Sequence, residues 1–231
     1  LLDRWVGGVL CALAVLLARL FGSSGRRSNR TDPTQVRSVA FIKLFGGGSI
    51  LLSSPAIAAL NRAHGGVRVA FITFGSNGGF ARFIGGVDEV CTIDDSSPFA
   101  FAASLVRVVA FMRKRRFDAV IDLEFFSNLT ALLAYLSGAN ERVGMRYRWW
   151  RNGLYTRLYS FAHGKHITEI YGKAVAAVSS SVREFFDPQR FDLRANGNAE
   201  AVDELLSARR SDRLVCVNIN AGQLFLLRRW P

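Results

Sequence analysis

From Val36 onward, short apolar runs alternate with longer stretches of helical spacing, and this alternation limits the fold more than any other feature. Residues 36–43 (VRSVAFIK), 67–73 (VRVAFIT), 87–93 and 117–123 (FDAVIDL) each have the length of a strand, and 142–145 makes a shorter fifth. Between them, 50–64, 99–116 and 127–137 read as helices, and 167–186 is a further long helical stretch. Strands that are apolar throughout need cover on both faces, and a helix after each strand supplies it. The pattern predicts an α/β domain built on a Rossmann-like parallel sheet. The basic run at 113–116 suits a helix C-terminus, where exposed carbonyls favour cations.

What flanks this domain differs from it. Residues 6–21 are nearly all apolar, with Arg19 the only charge. A bilayer span needs about 20 such residues, so this stretch reads as a short span, an interfacial helix or the end of a longer segment. Arg26, Arg27, Arg30 and Arg37 follow it, an arrangement that holds the rest of the chain on the cytoplasmic side and attracts anionic lipid. The expected organisation is a membrane-associating hydrophobic helix at 1–24, a linker at 25–35, the Rossmann-like domain at 36–186 and a polar connection at 187–213 containing one short helix near 200–208. At 214–231 a second domain begins with the strand LVCVN, and the sequence reads as a fragment that stops there.

Thirty Lys and Arg against eighteen Asp and Glu leave a formal charge of +12, which favours an anionic partner. No RNA-recognition, zinc-finger or helix-turn-helix signature accompanies that charge, so a membrane face or a phosphorylated ligand is favoured over nucleic acid. Cys11, Cys91 and Cys216 lie far apart in apolar stretches and form neither a disulfide framework nor a metal cluster. His163 and His166 are spaced i, i+3 but lack a convincing third ligand, and no metal is expected.

The turn KLFGGGSI at 43–50 joins a strand to a helix, and its glycines let backbone approach a ligand closely. Two nucleotide-binding readings fail on it. A Walker loop needs a Lys entering the helix, and none is present. A dinucleotide fingerprint needs a third Gly where Leu51 stands and an acid after the second strand, where this chain has Phe74-Gly75-Ser76-Asn77.

Several segments read in order carry a resemblance. KLFGGGSILLSSPA at 43–56, Asp122-Leu-Glu124-Phe-Phe-Ser127, Ser137-Gly138-Ala139, Arg142-Val143-Gly144 and His166-Ile-Thr-Glu169 come first. Asn218-Ile-Asn220-Ala221-Gly222 and the closing Arg228-Arg229-Trp230-Pro231 follow. Together they are similar to family 9 glycosyltransferases, the heptosyltransferases of lipopolysaccharide core assembly. The resemblance implies the N-terminal half of a GT-B enzyme, in which two Rossmann-like domains face a cleft. It implies inverting transfer from a nucleotide-sugar, ADP-heptose-like, to an anionic glycolipid at the cytoplasmic face of a bacterial inner membrane. That sugar nucleotide is a substrate, and neither a metal nor another cofactor is implied.

The same resemblance assigns roles. Gly46, Gly47, Gly48, Ser49, Arg142, His166 and Glu169 would face the acceptor, and Asn220, Ala221, Gly222, Arg228 and Arg229 the donor diphosphate. The chemistry needs a base for the acceptor hydroxyl and cations for the leaving diphosphate. Better-known family members carry an Asp where this chain has Ser49, so the base candidates become Glu124 and Asp122, at the C-terminal end of a strand. The competing reading has Asp122 capping the next helix and Glu124 as a solvated loop acid. Arg142, Arg146, Arg148 and Arg151, interleaved with Tyr147, Trp149 and Trp150, form the densest basic-aromatic patch, which suits a phosphorylated glycolipid. The Ser49 departure also admits a non-catalytic, membrane-bound glycan-binding homologue.

Overall fold

The computed structural model describes residues 7–20, 36–194 and Glu204. The chain divides into two compact units, Leu1–Arg194 and Ala195–Pro231. The linker at 25–35, the short helix near 200–208, the strand at 214–218 and all five donor-side residues lie outside the described residues, Glu204 excepted.

Among the described residues six strands form one sheet: β1 (Ser38–Ile42), β2 (Arg68–Phe74), β3 (Glu89–Ile93), β4 (Ala119–Asp122), β5 (Glu141–Met145) and β6 (Arg157–Tyr159). Their order is β3-β2-β1-β4-β5-β6, and every neighbouring pair is parallel. Alternation along each strand divides the core into two layers. Val39 and Phe41 of β1 and Ala119 and Ile121 of β4 point to one face, where α3 (Ser54–His64), α8 (Ile167–Ala176) and α9 (Val182–Phe185) cover them. Ala40, Ile42 and Val120 point to the other, beneath α5 (Pro98–Arg115) and α6 (Asn128–Leu136). Serine side chains start both of these last helices: Ala100 N donates to Ser97 Oγ (3.1 Å) and Thr130 N to Ser127 Oγ (3.4 Å).

A thirteen-residue helix, α1 (Gly8–Leu20), lies against α6 and against the short α7 (Trp149–Asn152). Among the described residues no helix is long and apolar enough to cross a membrane.

Several elements differ from expectation. The helix expected at 50–64 is two helices, α2 (Gly47–Leu51) and α3, because Pro55 starts a fresh helix and Ser53 Oγ donates to the Ile50 carbonyl (2.6 Å). The stretch 167–186 divides into α8 and α9 across a serine-rich turn. α4 (Gly78–Arg82), α7 and β6 were not expected at all. Residues 187–194, read as connection, instead fold back on the domain: Gly85 N donates to Asp192 O (2.8 Å), Arg194 N to Phe83 O (2.7 Å), and Leu193 bridges to Ile84.

Candidate functional site

Strand order reverses between β1 and β4. In open parallel sheets the loops leaving the C-terminal ends of two such strands part to opposite faces and leave a crevice. Ile42 and Asp122 are register partners there, and Leu123 N donates to Ile42 O (2.9 Å). The Gly-rich turn and the Asp122–Ser127 loop therefore emerge side by side.

Glu124 joins them. Its Oε1 accepts from Lys43 Nζ (2.7 Å), Leu44 N (2.9 Å) and Phe45 N (2.8 Å), and Lys43 Nζ also donates to Phe45 O (2.8 Å). The Lys43–Glu124 pair is nearly buried, with side chains 7% and 11% exposed. A carboxylate that holds two successive amides and an ammonium fixes the path of the turn that follows. Oε2 carries no hydrogen bond to the described residues.

Asp122 is fully buried. It accepts from Thr130 Oγ1 (2.7 Å), Arg151 Nη2 (3.2 Å), Tyr155 Oη (2.5 Å) and Glu124 N (2.8 Å). Burial pushes its carboxyl up from the usual range, and Arg151, Tyr155, Thr130 and the Glu124 amide pull the other way. Arg151 is itself fully buried; besides Asp122 it donates to Glu124 O (2.6 Å) and to the Phe125 carbonyl. One buried pair thus grips both ends of the loop. Asp122 does not cap α6, whose cap is Ser127, and it has no route to an acceptor hydroxyl. Glu124 is equally far from a solvated loop acid. Both competing readings of these acids are corrected by their burial.

The turn itself is built around Gly46 and Gly47. Gly46 sits at φ 82°, a left-handed conformation that favours glycine, and a Cβ there would stand 3.1 Å from Ser49 Oγ. A Cβ on Gly47 would fall 2.5 Å from the Phe80 ring, so Phe80 lies flush on the turn. Asn77 Nδ2 donates to Leu44 O (2.8 Å), tying the loop after β2 to the same turn. Phe45 packs edge-on against Phe74, with ring centres 5.1 Å apart. Ser49 and Gly48 lie on this turn at partial or full exposure.

Along the same edge, aromatic rings line the ends of β4 to β6. Phe126 meets Tyr147 (5.3 Å), and Phe125 meets Phe161 (5.4 Å), which in turn meets His163 (5.4 Å). Phe126, Tyr147 and Phe161 are exposed, as are Arg146, Arg148 and Lys165. His166 also belongs to this edge, where it caps α8: its Nδ1 accepts from Thr168 N (3.4 Å) and lies 2.9 Å from Thr168 Oγ1. Glu169 pairs with Lys165 (3.2 Å), whose ammonium lowers the carboxyl's pKa.

The structure does not bring Arg142 to the turn. It stands near the N-terminal end of β5, where its guanidinium donates to Leu154 O (2.9 Å) and Ala139 O (2.7 Å) and covers the Tyr135 ring. Arg151 likewise leaves the expected surface patch for the core. Sequence reasoning missed Lys43, Asn77 and Phe80 as site residues. The available signal was a lysine ending an otherwise apolar strand, since a buried ammonium demands a carboxylate. Among the described residues no group of three metal-ligating side chains is present.

No protein-family model and no curated protein matches the sequence. Solved structures do match. A glycosyltransferase family 9 protein from Veillonella parvula superposes with a TM-score of 0.63 at 16% identity, covering 78% of this chain and 51% of that one. The E. coli heptosyltransferase WaaC, solved with ADP-2-deoxy-2-fluoro heptose, gives 0.53 at 17% identity, covering 76% and 56%. E. coli ADP-heptose lipopolysaccharide heptosyltransferase II gives 0.54 at 13%, covering 77% and 52%. The chain thus spans about half the length of the structures it matches, and over that half it has the Rossmann-like fold of family 9 glycosyltransferases.

Proposed function

We propose that these residues form the acceptor-side half of an inverting, two-domain glycosyltransferase. It would move a heptose or related sugar from a nucleotide-sugar, ADP-heptose-like, to an anionic glycolipid of lipopolysaccharide type at the cytoplasmic face of the inner membrane. The observation that carries this reading is the meeting of the Gly-rich turn with the Glu124 loop at the β1/β4 reversal, on a fold shared with heptosyltransferases. E. coli WaaC binds ADP and an ADP-heptose analogue, which supports a nucleotide-sugar donor.

In this reading Glu124 is the base. Lys43 and the two turn amides hold Oε1, leaving Oε2 to take the acceptor hydroxyl's proton. The freed oxygen bonds the anomeric carbon from the face opposite the leaving group. The bond to the diphosphate breaks, and its electron pair leaves on the phosphate. Asn220, Ala221, Gly222, Arg228 and Arg229 would receive that charge. Gly46, Gly47, Gly48 and Ser49 shape the floor of the acceptor site, and His166 and Glu169 border it. Asp122 passes from base candidate to support, and Arg142 from acceptor ligand to sheet packing.

The test is release of nucleotide diphosphate by the whole protein in detergent, with a panel of nucleotide-sugars and a lipid-extract acceptor. Acceptor-dependent release with one donor, abolished in Glu124→Gln and retained in Ser49→Ala, is the expected result. The second reading, a non-catalytic glycan-binding homologue, draws on Ser49 and on the commitment of Glu124 Oε1 to structure. It gains if folded protein binds glycolipid yet releases nothing from any donor.

A further inference from the structure

We propose that the outward face of α1, continued by Trp149, lies flat on an anionic lipid bilayer as an interfacial surface beside the candidate site. The membrane-face reading above is deepened here: the surface, its orientation and its lipid chemistry are assigned.

The helix has two apolar faces with different uses. Cys11 and Val15 are buried in the core layer that α6 covers, and Cys11 Sγ donates to Asn128 O (3.5 Å). A Cβ on Gly153 would stand 2.9 Å from Val15 Cγ2, so helix and domain are in close contact there. This face is committed to the fold. Val9, Leu13 and Leu16, at i, i+4 and i+7, point away and are 60%, 48% and 51% exposed. Trp149, 63% exposed, lines a shallow apolar hollow with Ala12, Leu13 and Leu16. Contiguous apolar surface of this kind marks an interaction site.

Three observations select a bilayer as the occupant. The thirteen described residues of α1 rise about 20 Å, and turning the helix into the membrane would strip Cys11 and Val15 from the core. Residues 19–30 carry four arginines, Arg19, Arg26, Arg27 and Arg30, and no acid. Arg148 is exposed next to Trp149. An aliphatic stripe with a tryptophan and an exposed arginine at its margin, on a helix with four more arginines at its end and just after it in sequence, is complementary to an anionic headgroup layer over acyl chains. A formal charge of +12 sets a second copy of this chain against docking here. The placement also has a functional consequence. α6 and α7 follow the ends of β4 and β5, so the surface borders the sheet edge that carries the Gly-rich turn. A bilayer seated on α1 brings lipid headgroups to that edge.

The whole protein should co-float with vesicles of equal parts phosphatidylglycerol and phosphatidylcholine, and far less with phosphatidylcholine alone. Leu13→Asp and Leu16→Asp, both on exposed positions, should weaken vesicle binding at least ~10-fold with an unchanged thermal midpoint. Brominated lipid should quench tryptophan emission, and Trp149→Phe should remove most of that quenching. Unaltered vesicle binding in both Asp variants overturns the proposal. So does a dimer in sedimentation that Leu13→Asp converts to monomer. So does a Leu2→Cys label reachable by impermeant maleimide only from the far side of the membrane. Turnover on a delipidated, soluble acceptor separates this idea from the transferase reading. Variants that lose vesicles but keep that turnover sustain both, whereas loss of vesicles in a protein inactive on every acceptor sinks the transferase reading alone.

Discussion

The two edges of the sheet hold the same kinds of side chain and use them to hold different parts of the chain. At the amino edge, acids tie neighbouring strands to one another, Asp118 through the backbone amides of Arg37 and Ser38 and Glu141 through a guanidinium and a hydroxyl. Asp118 takes Arg37 N (3.0 Å), Ser38 N (2.9 Å) and Ser38 Oγ (3.0 Å), and Glu141 takes Arg157 (2.9 Å) and Thr156 (3.0 Å). Arg142 joins β5 to the segment leading into β6. At the carboxyl edge the carboxylates turn inward instead, to hold loop backbone, and leave aromatic rings and arginines on the outside. Charge density therefore does not distinguish the two edges. What distinguishes them is what the acids brace: at the amino edge Asp118 and Glu141 tie the starts of neighbouring strands together, and at the carboxyl edge Glu124 and Asp122, each with its own cation, hold the loops that leave the strands.

The comparison breaks most readily at Arg151. Replacing it with Met leaves the Asp122 carboxylate buried without its cation and frees the Glu124 and Phe125 carbonyls. The expected loss is about 3–5 kcal/mol, read as a lowered urea midpoint of the whole protein. Adding Asp122→Asn should recover part of it, since the uncompensated charge is then gone. A loss below about 1 kcal/mol would mean that this pair supports nothing.

Glu124 comes next. Glu124→Ala strands the Lys43 ammonium and releases both turn amides, at an expected cost of about 2–3 kcal/mol. Glu124→Gln keeps an oxygen for the amides and should cost less than Ala while still abolishing acceptor-dependent turnover. Equal turnover in Gln variant and parent would remove Glu124 as base and leave it a purely architectural residue.

Much of this was legible in the sequence because it rests on local signals. Apolar runs such as VRVAFIT and FDAVIDL, punctuated by helical spacing, determine the parallel sheet, and Ser97 and Ser127 mark helix starts. β6 escaped notice because three residues, Arg157–Tyr159, at a sheet margin carry almost no periodicity. The break between α2 and α3 was readable in principle from Pro55. The site was harder for a different reason. Whether Arg142 or Arg146 faces a ligand depends on which end of a strand it occupies, and the sequence shows only that both are arginines near β5. The inward turn of Asp122 and Arg151 is a tertiary event between residues 29 positions apart, and no short-range pattern announces it.

A smaller effect tests the surface of the carboxyl edge. In Gly47→Ala the new methyl group overlaps the Phe80 ring that lies on the turn, an exposed side chain able to swing aside. Ala also favours the helical backbone of α2 by up to about 1 kcal/mol over Gly. Net stability should therefore change by less than about 1 kcal/mol, while the displaced ring lowers acceptor-dependent turnover. The double variant Gly47→Ala with Phe80→Ala should recover turnover if ring displacement, rather than the methyl group, is the cause.

The smallest expected change in stability is the sharpest test of the comparison itself. Arg146 and Arg148 stand exposed at the carboxyl edge, and Arg113 and Lys114 stand exposed at the basic end of α5, near the amino edge. Converting either pair to Gln removes the same formal charge. Either should shift stability by no more than about 0.5 kcal/mol, as surface substitutions usually do. If nonspecific attraction by a basic protein governs acceptor binding, both pairs should weaken it alike, and added salt should erase the difference from the parent. If the carboxyl edge is the binding edge, only the Arg146/Arg148 pair should weaken binding of an anionic glycolipid, and the gap between the two double variants should persist as salt is raised. Titration of labelled glycolipid into both double variants at two salt concentrations decides between these outcomes.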